Sequence, residues 1–267
     1  MPQNTFSPRY LVREVRRFLY HFYRSYKDYL LFFAGIFIGV LVVALLGRGF
    51  YELLSDLRAE RLGAFDDSIT LWVLSWKTPA LDWYLSSITH LGDRYAYIML
   101  SVILGLYLYI RKGNLIFTLQ AVAVLVVAGV LSFWLKDLIG RPRPEAAHQL
   151  GIHTLSFPSG HSMSSIAFYG FLIHLTWRIY KSRLKKIVFT IILVILIISI
   201  GVSRIYLQVH YPSDVLSGFA AGGICLVFFI ILFSALRFRQ RWKGEDRQPD
   251  TATAEENRPS TDRKELS

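Results

Sequence analysis

The 267-residue chain is 53% hydrophobic and 18% charged, with 30 Lys+Arg against 19 Asp+Glu and a formal net charge of +11. A water-soluble domain carries about 25% charged residues, so much of this surface faces something other than water, and intrinsic disorder, collagen-like structure and a secreted disulfide scaffold are excluded. The single cysteine, Cys225, lies in an apolar run and can form no intrachain disulfide, and the basic charge comes with no signature of nucleic-acid binding.

Taken in chain order, residues 1–29 contain Tyr10–Tyr26, where Leu11, Val15, Phe18, Phe22 and Tyr26 recur at helical spacing with Arg13, Arg16, Arg17 and Arg24 between them. That pattern predicts an amphipathic helix lying in the plane of an anionic lipid surface. Six apolar segments follow: Leu30–Leu46, Tyr95–Ile110, Leu115–Leu135, Ser162–Tyr180, Ile187–Val202 and Val215–Leu236. They approach or pass the roughly 17–25 residues that cross a bilayer. Between the first two, segment 48–94 carries Trp72, Trp76 and Trp83 among Leu and Ile. Tryptophan favours the headgroup layer, which predicts short interfacial helices that either shape a lipid entrance or pad the bundle. The polar tail reads as disordered from Gly244 onward. The expected fold is therefore an all-α integral membrane bundle: a segment 1–29, a six-span domain 30–236 and a cytoplasmic tail 237–267. No cleavable signal peptide is expected.

Lys and Arg number 21 in residues 1–29, at Arg111–Lys112, in 178–186 and in 237–267, against nine in the alternating segments. Basic residues favour the cytoplasmic side, so both termini are expected there and loops 48–94, 136–161 and 203–214 face outward. Those outward loops contain no N-x-S/T acceptor, which favours a bacterial inner membrane over a lumenal one.

The outward face should be poor in cations, so those it holds are informative. Lys136, Arg141 and Arg143 follow the third span, Ser159, Gly160 and His161 precede the fourth, Ser203 and Arg204 end the fifth, and His210 and Asp214 lead into the sixth. In an antiparallel bundle all of these lie on one rim. Lys136, Arg143 and Arg204 suit phosphate oxygens. Ser159 is an N-cap candidate and Gly160 allows close backbone approach, so the free N–H groups there suit an anion. Asp214, four residues after His210, can hold the ring N–H of that histidine and raise its basicity. Two histidines around a tri-cationic site suggest phosphoryl transfer, with one imidazole attacking phosphorus and the other protonating the leaving oxygen. No carboxylate cluster accompanies them, so a two-metal phosphatase site is not expected.

Singly, each residue has an ordinary role. Arg141 at a span end can snorkel to headgroups. Ser-Gly before a helix can be a cap alone, and His21, His90, His148, His153 and His174 read as solvated or capping residues. The Asp66-Asp67 pair reads as a helix start or a solvated feature. Joint occurrence on one rim is what sets the other residues apart.

The ordered pattern Lys136-x6-Arg143-Pro144, Pro158-Ser159-Gly160-His161 and Ser203-Arg204-x5-His210-x3-Asp214 resembles the three-part signature of the type-2 phosphatidic acid phosphatase superfamily. That group includes bacterial phosphatidylglycerophosphate and undecaprenyl diphosphate phosphatases and, more distantly, vanadium haloperoxidases. The resemblance covers about residues 95–236, with the motifs in 136–214. It implies that His210 is the nucleophile of a phosphohistidine intermediate, Asp214 its orienting partner and His161 the general acid. Lys136, Arg143, Arg204, Ser159 and Gly160 would bind the phosphoryl group, with no metal or organic cofactor. Ser203 matches the motif without an assigned role. The expected activity is hydrolysis of a terminal phosphate from a lipid phosphate or diphosphate, the bilayer being the partner. A lipid phosphotransferase and a non-catalytic lipid-phosphate binding or transport protein are the alternatives. The pattern does not give an oligomeric state.

Overall fold

The computed structural model describes residues 8–113 and 115–245; most side chains before Tyr29, and those of 112 and 241–245, lie outside the described set. Among the described residues every regular element is helical: α1 (Pro8–Arg58), α2 (Gly63–Leu74), α3 (Pro79–Ile88), α4 (Arg94–Lys112), α5 (Ile116–Ile139), α6 (Glu145–Gln149), α7 (Gly160–Ile179), α8 (Arg183–Tyr206) and α9 (Pro212–Glu245), with a 3-10 turn at Thr89–Gly92. Each of the six expected apolar segments falls on a helix of this series.

Local chemistry sets the boundaries that matter for the site. Thr78 caps α3 by accepting from the Leu81 N–H at 3.2 Å, with Pro79 following at the first helical position. Gly140 ends α5 in the left-handed conformation, φ 73°, which a residue without Cβ adopts at no steric cost. Its N–H closes on the Lys136 carbonyl at 2.9 Å, and the chain turns sharply into Arg141-Pro142-Arg143. Ser159 caps α7 from its extended backbone.

Helix α1 is unbroken from Pro8 to Arg58, so Tyr10–Tyr26 is continuous with the first apolar segment. The side chains that would test its amphipathic face lie outside the described residues, as do all of residues 246–267. The C-terminal tail begins as helix, since α9 runs to Glu245. Residues from Ile231 onward form a separate compact unit, in which Arg237 donates to the Ser234 hydroxyl at 3.3 Å.

Four helices are long and apolar enough to cross a membrane, Tyr29–Arg58 within α1, α5, α8 and Pro212–Gln240 within α9; a fifth span results if Pro79–Gly92 and Arg94–Arg111, bent by 65°, are counted as one. Helix α7 does not meet that apolarity. It is the central helix, packed against α5 and α8, with ten buried residues that include Ser162, Ser165, Gly170 and Thr176. A helix surrounded by helices has no lipid-facing side that must be apolar, so its hydropathy falls.

Glycine permits the closest of these contacts. A Cβ on Gly218 would lie 2.6 Å from the Ser159 carbonyl oxygen, and one on Gly222 would lie 2.4 Å from that of Met163. The Gly218-x3-Gly222 spacing puts both on one face of α9 and brings its backbone onto α7, the small-residue packing that membrane helices use in place of a hydrophobic drive. Helices α2 and α3 pack on α8 through Val73, Leu85, Ile205 and Tyr206, with Val215 at the start of α9 in the same cluster, while Trp72 and Trp83 stay exposed. Helices α2 and α3 thus pad the bundle.

Because backbone atoms cannot retreat as a side chain can, Gly222→Val and Gly218→Val should each lower the thermal midpoint in detergent, at a cost of about 1–3 kcal/mol or more from overpacking. Gly35→Val, where a Cβ meets nothing within 4 Å, should leave it unchanged.

Candidate active site

Three chain segments build one rim, and the structure joins them by backbone as well as side chain. The Ser159 N–H donates to the Asp214 carbonyl at 2.9 Å, and the His210 and Val209 N–H groups both donate to the Arg204 carbonyl, at 3.2 and 3.1 Å. Segment 140–159 is tied to itself where the Ser156 N–H and hydroxyl donate to the carbonyls of Arg141 and Pro142, each at 2.9 Å.

The histidine predicted to be the nucleophile stands on the short loop between α8 and α9, as expected, but is buried. Its Nδ1 lies 3.4 Å from Asp214 Oδ2, and the same oxygen accepts from the Tyr211 N–H at 2.9 Å. With the proton on Nδ1, Nε2 keeps its lone pair. Burial first, then the charges of Arg143, Lys136, Arg204 and His161, hold the His210 pKa well below 6.5, so the ring stays neutral in mildly acidic solution.

The three expected phosphate cations are held by neutral oxygens. Lys136 Nζ donates to the Leu155 carbonyl at 2.8 Å. Arg143 donates to the carbonyls of Thr154 and Val209, at 2.9 and 2.8 Å, and to the Thr154 hydroxyl at 3.0 Å. Arg204 Nη1 donates to the Thr89 hydroxyl at 2.7 Å, and its buried Nε has no partner. Fixed in direction but not neutralised, these cations keep their charge for an anion. The unsatisfied Nε is a donor waiting for an acceptor. Ser159 accepts from Ser162, from the N–H at 3.4 Å and from the hydroxyl at 3.0 Å, which leaves its own O–H to donate. Gly160 and His161 line a cavity of ≈ 620 Å³ that reaches Tyr97, Leu125 and Gly129. Ser203 donates to the Ile200 carbonyl at 2.7 Å, a bond within its own helix.

Two residues act otherwise than the sequence reading expects, and a third stands outside that reading altogether. Arg141 does not snorkel: its side chain is only 12% exposed, and its guanidinium forks to Asp214 Oδ1 and Asp66 Oδ2, each at 2.7 Å. Asp66 stands in the first turn of α2 as expected, yet is buried, while Asp67 is exposed. A buried carboxylate needs a cation, and Arg141 supplies it. The third is Asp93, immediately before α4. It has the position of an N-cap, but its side chain makes no cap bond. One carboxylate oxygen pairs with His161 Nε2 and the other with His90 Nδ1, both at 2.8 Å. The sequence carried no signal for the pairing of Arg141 with Asp66 and Asp214 or of Asp93 with His161, because the partners are distant along the chain and the two acidic residues Asp66 and Asp93 stand at helix starts. Gly92 beside it allows the approach, since a Cβ there would lie 2.8 Å from the His161 ring. His148 and His153 are exposed, and the side chain of His21 lies outside the described residues. Among the described residues no three His, Cys, Asp or Glu side chains gather to hold a metal ion.

Residues 117–238 match the family model described as PAP2 superfamily. The chain is 32% identical over 200 residues to phosphatidylglycerophosphatase B of Bacillus subtilis (strain 168), covering 72% of this chain and 95% of that protein. It is 33% identical over 108 residues to the lipid A 1-phosphatase of Rhizobium etli, covering 37% of this chain and 42% of that one. Among solved structures, it superposes on a transmembrane PAP2-type phosphatidylglycerolphosphate phosphatase from Bacillus subtilis with a TM-score of 0.64 and 28% identity, over 73% of this chain and 96% of that one.

The depressed His210 pKa makes a prediction about stability. Below pH 6.5 the unfolded chain takes up a proton at this histidine that the folded chain refuses, so stability falls as pH drops from about 6.5 toward the folded pKa. A folded His210→Gln variant should lose that component, which thermal midpoints in detergent from pH 7.5 down to 5 would register as a shallower decline.

Proposed function

Since this chain belongs to the PAP2 superfamily, we propose that it is a membrane lipid phosphatase that removes the terminal phosphate of a lipid phosphate or diphosphate through a phosphohistidine. The observation that carries the reading is the meeting of His210–Asp214, His161 and three un-neutralised cations on one rim. Phosphatidylglycerophosphate comes first as substrate because a relative spanning most of the chain is a phosphatidylglycerophosphatase. Undecaprenyl diphosphate and phosphatidic acid remain within the class, since the rim reads the phosphate and not the tail.

In the first step Nε2 of His210 forms a bond to phosphorus while the bond from phosphorus to the leaving oxygen breaks. Asp214 faces the Nδ1 proton and stabilises the cationic ring that results. His161, entering the step doubly protonated, gives a proton to the leaving oxygen; with its Nε2–H engaged by the Asp93 carboxylate, Nδ1–H is the donor for that transfer and the ring is left neutral. Lys136, Arg143, Arg204, the Ser159 hydroxyl and the Gly160 amide spread the charge of the equatorial oxygens. In the second step water attacks phosphorus, His161 takes its proton, the P–N bond breaks and inorganic phosphate leaves. No residue in this scheme requires a metal.

The same reading gives the protein six crossings, α1 from Tyr29, α4, α5, α7, α8 and α9, with the central α7 shielded from lipid. Both termini are then cytoplasmic and the rim faces the outside of a bacterial inner membrane. Residues 30–236 form the catalytic domain, preceded by the amphipathic segment 1–29 and followed by the tail 237–267.

Purified protein in detergent with EDTA should release phosphate from at least one of phosphatidylglycerophosphate, undecaprenyl diphosphate and phosphatidic acid. His210→Gln should release none, and Asp214→Asn should lose on the order of 10²–10⁴ of kcat through misorientation of the ring. Orthovanadate should inhibit. Turnover by folded His210→Gln would reject the phosphohistidine, and a strict divalent-metal requirement would reject the cation-based site. Phosphate appearing on an added acceptor lipid in place of water would assign the protein as a transferase.

A further inference from the structure

Behind the His210–Asp214 pair lies a buried charge cluster that the scheme above does not use. Arg141 Nη1 donates to Asp214 Oδ1 at 2.7 Å and to the Ser213 hydroxyl at 2.8 Å, while Nη2 donates to Asp66 Oδ2 at 2.7 Å. Asp66 also accepts from the Ser213 N–H at 2.9 Å and from its hydroxyl at 2.8 Å. The guanidinium lies over the Tyr211 ring, 4.0 Å from its centroid. The carboxylate side chains are 2% exposed at Asp66 and 0% at Asp214. Arg141 therefore faces inward, away from the role of the other three cations.

The charges can be counted. One guanidinium between two carboxylates leaves a net charge of minus one on the cluster that holds the partner of His210. If Asp66 were neutral, Arg141 would cancel Asp214, and the ring would meet no net negative charge as it turns cationic. If Arg141 were neutral, two buried carboxylates would share the site, and one would take a proton. Only the complete triad gives Asp214 both a fixed orientation and a surviving charge.

We propose that Asp66 and Arg141 are positioning residues for the nucleophile: Arg141 orients Asp214, and Asp66 offsets Arg141 so that Asp214 keeps one negative charge for His210. This inference rests on His210 being the nucleophile. It assigns helix α2, outside the matched family region, a part in the reaction.

The test is steady-state phosphate release from phosphatidylglycerophosphate by the full-length protein in detergent, with folding checked by size-exclusion chromatography and thermal melts. Asp66→Asn and Arg141→Gln should each lower kcat by about 10²-fold, the scale of a misplaced reacting group, with KM within about twofold. The double variant restores the net charge of minus one and should recover about tenfold in kcat over the worse single variant, the coupling expected of groups in one network. A double variant no better than the worse single one would reduce the cluster to a structural tie between α2 and α9 and overturn the proposal.

If Arg141→Gln does not fold, Asp66→Asn carries the test through its pH profile. His210 is faced by Asp214, Arg143, Lys136, Arg204 and His161, and removing the Asp66 charge makes that surrounding more positive. The acid limb of kcat/KM should move to lower pH, and Asp66→Glu should return it toward the wild-type position. An unmoved limb in folded Asp66→Asn would overturn the proposal. His210→Gln measured alongside separates the two readings. Turnover by that variant removes the nucleophile assignment itself, whereas an inert His210→Gln with wild-type rates in Asp66→Asn and Arg141→Gln removes only the positioning role.

Discussion

The site depends on how closely α9 approaches α7. Gly218 and Gly222 leave no Cβ between the two backbones, and at the outer end of that contact the Ser159 N–H reaches the Asp214 carbonyl at 2.9 Å. The residue that caps α7 is thereby fixed against the residue that orients the nucleophile. In the proposed mechanism, an ångström of extra separation would part the amides at the start of α7 from His210, and a phosphoryl group could not reach both. Packing by small residues is thus inseparable from the catalytic geometry.

Given that framework, the cations divide by partner. Arg141 meets two carboxylates and spends its charge inside the protein. Lys136, Arg143 and Arg204 meet carbonyls and hydroxyls, which orient them without cancelling them. Sequence position does not make this distinction, for Arg141 and Arg143 are two residues apart. Their partners make it. Arg143 goes to the loop carbonyls of Thr154 and Val209, and Arg141 goes under the nucleophile.

What the sequence could reveal followed from periodicity and topology. Long apolar runs marked the lipid-facing helices, and the alternation of their ends put His161, Arg204, His210 and Asp214 on one rim before any coordinates. Hydropathy says least about α7, because the central helix of a bundle touches helices and can carry Ser, Gly and His where outer helices need Leu and Ile. Local spacing was equally silent about Asp66 and Asp93. Each begins a helix, where an acidic residue has an ordinary explanation, and each finds its partner more than sixty residues away.

That silence has a pattern. Asp66 and Asp93 both come from the stretch between α1 and α4, and both lie outside residues 117–238, which the family model matches. In the proposed scheme Asp93 holds the histidine that handles the leaving group, and Asp66, through Arg141, supports the one that attacks. The groups proposed to bind phosphate therefore sit on α5, α7, α8 and the loop before α9, while the carboxylates standing behind both histidines come from the stretch between α1 and α4. Packing through Val73 and Leu85 places those helices to within a hydrogen bond. The segment that reads as interfacial padding is thus also the wall against which the catalytic imidazoles are set, and its apolar contacts and its two carboxylates serve one arrangement.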